Sequence, residues 1–144
     1  MRVMSRALLL RRCPPSSDRV RPLSGVIAGH CGLPFTRIFD GRLWHNPGVI
    51  GMPAHDGTPR VWCSVLTPER GGLRIELVAL AYDHTTAAAR MRAEGLPDGY
   101  AACLETGFWP SEDVLPAAER AARGKPLDPR SVVWPWPGRI SAVA

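Results

Sequence analysis

Val26-Ile-Ala-Gly-His-Cys-Gly-Leu-Pro-Phe35, followed by Thr36 to Trp44 and by Asn46-Pro-Gly48, is the stretch that decides how the chain reads. Gly25 to Ala28 is a short apolar run that predicts a strand, and it stops abruptly at Gly29-His30. A strand ending in this way presents an imidazole at the carboxyl edge of a sheet, where α/β proteins bind their ligands. Phe35 to Phe39 and Arg42 to His45 then flank Asp40-Gly41, a two-residue turn signal that pins an antiparallel hairpin. Asn46 to Thr58 is a loop punctuated by Pro47, Gly48, Gly51, Pro53 and Gly57. Loops of that length in a small domain often carry function.

Further along, Arg60 to Thr67 predicts a strand with Val61, Cys63 and Val65 on one side and Trp62, Ser64 and Leu66 on the other. Pro68 to Gly72 turns the chain, and Leu73 to Tyr82 returns as the partner strand of a second hairpin. The period then changes. Asp83 or Thr85 can cap a helix that runs to about Glu94 and ends at Gly95-Leu-Pro97. Asp98 to Thr106 predicts a second helix stopped by Gly107, and Ser111-Glu-Asp113 opens a third that runs to Arg123. The expectation is an α/β (α+β-like) chain of mostly antiparallel hairpins followed by three short helices.

Charge divides the chain differently. Residues 1–24 carry six arginines against the single acid Asp18, so the net charge of +5 resides there and the remainder is balanced. The expected organisation is a basic, disordered arm over 1–24, a domain over 25–124 and an irregular Pro/Trp-rich tail over 125–144. A nucleic-acid-binding domain would carry its basic charge on the folded face, so nucleic acid is not the expected partner. Cys13, Cys31, Cys63 and Cys103 show no paired spacing, which argues against a disulfide framework or a structural zinc site and for a reducing, cytoplasmic setting. No apolar run reaches the roughly 18 residues of a membrane span.

Gly29-His30-Cys31-Gly32-Leu33-Pro34-Phe35, the hairpin around Asp40-Gly41 and Asn46-Pro47-Gly48-Val49-Ile50-Gly51 resemble, in order and spacing, the last metal-binding motif of calcineurin-like metallophosphoesterases. That motif reads Gly-His-x-His, a hairpin, Asn-Pro-Gly and a closing pair of strands. The resemblance covers roughly residues 25–84, and the helical segment to about 124 is family-like. It implies part of a metallophosphoesterase sandwich and hydrolysis of a phosphomonoester or phosphodiester at a pair of divalent metal ions (Mn, Fe, Zn or Ni). His30 would be a metal ligand, and Asn46 and Gly48 would shape the substrate loop. Two departures accompany the match. Gly32 stands where the motif has its second His, and the family's earlier ligand motifs have no counterpart before His30. The chain therefore resembles the C-terminal half of such an enzyme, a fragment with little activity of its own, for which a missing N-terminal half or a second copy would be the partner.

Plainer readings stand beside these. His30 can be a lone histidine satisfied by a carbonyl. The Asn46-Pro47-Gly48 segment can be a turn and nothing more. Cys31 could supply a thiolate, but neighbours in a strand face opposite sides, which works against a Cys31/His30 catalytic pair. His45 and His55 are expected to be exposed loop residues and His84 a junction residue. Arg37, Arg42 and Arg60 can meet an anionic substrate or guard strand edges. The rival function is a non-enzymatic interaction module that retains part of the fold.

Overall fold

Asp40 and Gly41 both adopt positive φ, 49° and 70°, so the turn chemistry written in the sequence is realised and fixes the first hairpin. In a computed structural model, which describes residues 7–10 and 24–136, that hairpin consists of β3 (Phe35–Phe39) and β4 (Arg42–Asn46). The apolar run before the Gly29-His30 corner forms β2 (Gly25–Ala28), which lies parallel to β4 with Val26 opposite Trp44. Ala7–Leu10 forms β1, antiparallel to β2, and completes a four-stranded sheet in the order β1-β2-β4-β3. Four residues of the basic arm are thus paired strand, where a disordered segment was expected; the rest of residues 1–23 lie outside the described part.

The second hairpin is β5 (Val61–Pro68) and β6 (Gly72–Leu80). A further strand, β7 (Arg130–Pro135), lies antiparallel to β6, giving the order β5-β6-β7. The sequence suggested an irregular tail here. The period-two pattern of Val132 and Trp134 prevails because Pro135 sits at the end of an edge strand, where proline is tolerated.

Strand alternation decides what each sheet buries. The register places Trp62, Ser64 and Leu66 of β5 on one face with Leu73, Ile75 and Leu77 of β6 and with Val132 and Trp134 of β7. That face meets Leu43 of β4 and Ile27 of β2, and the two sheets close a core around Leu43, Leu73, Ile75 and Trp134. The Trp134 indole crosses between the sheets to donate to the Gly41 carbonyl at 2.9 Å. Sheet packed on sheet, each with one apolar face, is the sandwich solution to burying both.

Three helices follow the second hairpin. Asp83 caps α1 (His84–Ala93) by accepting from the Thr86 N–H, and hydrogen bonding from the Thr86 side chain and backbone and from the Thr85 hydroxyl holds its carboxyl below the usual carboxylate range. The second helix, α2 (Asp98–Thr106), ends at Gly107 in the left-handed conformation. The pair meets through small side chains, with Ala88 and Ala101 fully buried beside Leu104. Arg92 spans the pair on the surface, bonding Asp98 at 2.6 Å and Glu105 at 2.8 Å. The third helix, α3, is only Ala117–Ala121. Pro116 is its N-cap, and proline disfavours helical backbone in the residue before it, so the turns from Ser111 to Leu115 cannot join. No helix among the described residues is long and apolar enough to cross a membrane.

Candidate functional site

The loop after β2 is held from below by one side chain. Asn46, at the end of β4, is 2% exposed and its Nδ2 donates to the Cys31 and Leu33 carbonyls at 2.6 and 2.7 Å. The amide orientation is fixed by this pair, since the reversed amide would face both carbonyls with its oxygen. Gly48 follows at φ 85°, and a Cβ on it would press within 3.3 Å of the Trp62 Cβ. The Asn-Pro-Gly segment therefore works here as a clamp and a tight path under the Gly29–Pro34 loop. His30 and Cys31 stand exposed on top of it.

His45 and His55 were expected on the surface, and both are buried, at 0% and 2% exposure. For His45 the cause is strand alternation, which turns it inward together with Leu43. Its Nδ1 meets the Thr36 hydroxyl and its Nε2 the Ser64 hydroxyl, each at 2.9 Å, so it bridges the two sheets. Burial, with Arg130 nearby, lowers its pKa from the ordinary histidine value despite a contact with the Phe35 backbone that acts the other way. His55 sits at φ 60°, and its Nδ1 accepts the Trp109 backbone N–H at 2.8 Å. The proton therefore resides on Nε2, which donates to Glu112 at 3.2 Å, and Glu112 is also paired with Arg123 at 2.9 Å.

Beside His55, Asp56 is buried and fully employed. It accepts from the Thr58 backbone and hydroxyl, from Arg60 and from the Leu127 N–H. Arg60, a candidate for meeting an anion, is thereby committed to Asp56 and to the Leu127 carbonyl. The Asp-Gly-Thr run that makes this Asx turn was a sequence signal for a structural Asp56. No comparable local signal marked His55, whose partners lie more than 50 residues away.

These anchors shape a cavity of about 1180 Å³. One wall is the loop at His30 and Cys31 with the outer face of β3 and β4 (Phe35, Arg37, Phe39, Trp44). The other is Trp109 and the segment from Val114 to Leu127. Of the candidate residues, the cavity brings together His30, Gly32, Cys31 and Arg37; Asn46 and Gly48 support it from beneath, and Arg42 is elsewhere on the surface.

Gly32 bears directly on the metal expectation. A Cβ at that position would lie 2.5 Å from Cζ2 of Trp109, so the indole fills the space into which a side chain would project. The indole is fixed there by donation from Nε1 to the Pro53 carbonyl at 2.7 Å. Among the described residues no three His, Cys, Asp or Glu side chains are grouped to hold a metal ion. His30 supplies one imidazole, and a transition-metal centre needs several donors in fixed geometry. The described residues do not by themselves fit a dinuclear centre.

No family model, curated protein or solved structure matches the chain.

Cysteine chemistry adds little to the cavity. Cys31 is exposed, Cys63 half-buried and Cys103 buried, all as free thiols. Burial pushes the Cys103 thiol up to about 11, which makes it inert.

Proposed function

We propose that the chain is the pocket-bearing part of a metal-dependent phosphoesterase, a hydrolase whose further metal ligands come from protein outside this chain. The observation that carries the reading is the position of His30. It is exposed on a clamped loop at the carboxyl end of β2 and forms part of the cavity wall. An accessible imidazole on a rigid platform beside a cavity suits the donation of one ligand to a shared centre. His30 would contribute to metal binding, while Asn46 and Gly48 keep the loop in place and the cavity receives the phosphate ester. The chain alone is then inactive as a phosphatase. The cysteines among the described residues, all free thiols, support a cytoplasmic setting for it.

The experiment is hydrolysis of bis(4-nitrophenyl) phosphate by the purified chain with manganese. The expected result is turnover no higher than the metal-only blank. Turnover that disappears in His30→Ala would show a complete centre and overturn the reading.

A second reading, a non-enzymatic interaction module, is favoured by the sheet edges. Strand β5, eight residues long, and β3 are both edges of their sheets among the described residues, and Val65 on β5 is 49% exposed. An open edge of that length is a template for pairing with another strand. Sizing chromatography with light scattering separates the two readings: a stable dimer without metal supports the module, and a monomer removes its support.

A further inference from the structure

We propose that the cavity binds a flat aromatic ring carrying a phosphate ester, with the ring against the β3–β4 face and the anion toward Arg37 and Lys125. The anionic half rests on the phosphoesterase reading; the aromatic half stands on the cavity alone.

Pairing of Arg37 with Trp44 and of Phe39 with Arg42 puts Phe35, Arg37, Phe39 and Trp44 on one side of the sheet, the side away from the inter-sheet core. Phe39 and Trp44 are each 50% exposed there. Two half-exposed aromatic side chains on a cavity wall leave apolar faces in water that a planar ligand would cover. Arg37 lies over the Phe35 ring at 5.5 Å, which keeps its guanidinium beside the aromatic floor. Opposite are Trp109, Val114, Leu115 and Pro116, which offer no formal charge. The volume, about 1180 Å³, exceeds what a bare phosphate needs and accommodates a ring system with substituents.

Charge selects an anion. Two acids and two bases line the cavity besides the histidines, but they are not equally available. The Asp56 charge is met by Arg60 at 3.3 Å and its oxygens are occupied by N–H and O–H donors. Glu119 faces Arg37 at a loose 3.9 Å. Lys125 forms no ion pair among the described residues, so the surplus facing the cavity is positive, with the accessible His30 imidazole beside it.

The test is a titration of the metal-free, 15N-labelled full chain with 1-naphthyl phosphate, following indole N–H resonances. Trp44 and Trp109 line the cavity whereas Trp62 and Trp134 are in the core, so the indoles report location as well as affinity. Saturable shifts of Trp44 and Trp109, with Trp62 and Trp134 unmoved, are expected. Arg37→Ala/Lys125→Ala should weaken 1-naphthyl phosphate about tenfold and leave 1-naphthol unchanged, the size expected for two solvent-facing charge contacts. Absence of saturable shifts with either compound overturns the whole proposal. Equal affinity for naphthol and naphthyl phosphate, unaltered in the double variant, overturns the phosphate half and leaves the hydrolysis test of the chain as a separate question.

Discussion

Replacing Gly32 by alanine should destabilise the fold, and the sign of the effect is diagnostic. Gly32 is not among the glycines with positive φ, so on backbone grounds alone the change would stabilise by about 0.4–1 kcal/mol. The obstacle is spatial. The new methyl would stand 2.5 Å from Cζ2 and 3.2 Å from Cη2 of Trp109, and 3.1 Å from the Met52 methyl. Met52 can rotate away. Trp109 cannot do so freely, because its indole N–H is bonded to Pro53, its backbone N–H to His55, and its ring is packed on the His55 imidazole at 5.3 Å. Restoring an ordinary carbon–carbon contact requires a ring shift of about 1 Å, enough to strain or break the Pro53 bond. Overpacking of this kind costs about 1–3 kcal/mol, the lost hydrogen bond included. Urea unfolding followed by far-ultraviolet circular dichroism measures it. Trp109→Phe removes the offending atoms, so Gly32→Ala in that background should cost about 1–2 kcal/mol less than in the wild type. A stabilised Gly32→Ala variant, or additivity of the two changes, would refute the claim that the indole occupies the place of a side chain at position 32.

Two further outcomes follow from the buried polar groups. His45 has a lowered pKa in the folded chain, so the unfolded chain binds more protons just below pH 6.5; stability should be whole above that pH and fall as the pH drops toward the folded value, by up to about 1.4 kcal/mol per pH unit. His45→Gln should flatten the profile of urea midpoints between pH 8 and 5, and an unchanged slope would mean that another group is responsible. Asn46→Asp replaces two donated hydrogen bonds by a carboxylate facing two carbonyl oxygens; a loss of about 3–5 kcal/mol is expected, and calorimetry showing less than about 1 kcal/mol would remove the clamp from the account.

What the sequence disclosed and what it hid divide along the range of the interaction. The Asp40-Gly41 turn, the alternation of Trp62, Ser64 and Leu66 against Val61, Cys63 and Val65, and the stop at Gly107 are local patterns, and all are realised where local chemistry places them. Strand β7 was hidden because Pro135 and its neighbours mask the short alternation of Val132 and Trp134, and because its reason for being extended is β6, more than 50 residues earlier. His55 was misread for the same cause, since its partners Trp109 and Glu112 lie more than 50 residues on. His45 is different: it belongs to the Arg42–Asn46 strand, whose alternation turns it inward with Leu43, and Thr36 of the same hairpin meets one of its nitrogens. The motif residues, and Asn46-Pro47-Gly48 as the segment that fixes the loop beneath them, were legible as a cluster; the two bonds by which Asn46 does so run back to Cys31 and Leu33, beyond any local pattern.

His30, His45 and His55 are used differently, and the difference bears on the proposed role of the Gly29–Pro34 loop. His45 and His55 are buried, and each has both ring nitrogens bonded to protein, so they are spent on structure. His30 is exposed and takes part in no side-chain hydrogen bond among the described residues. An unengaged surface histidine is unremarkable on a loose loop, yet this loop is the reverse of loose. Asn46 holds two of its carbonyls, the Trp109 indole is packed against Gly32, and β2 leads into it in parallel register with β4. Three anchors on a six-residue loop limit the backbone and leave one imidazole free. A backbone fixed by these contacts, carrying an exposed imidazole that makes no side-chain hydrogen bond among the described residues, supports the proposed role of His30 as a ligand donor.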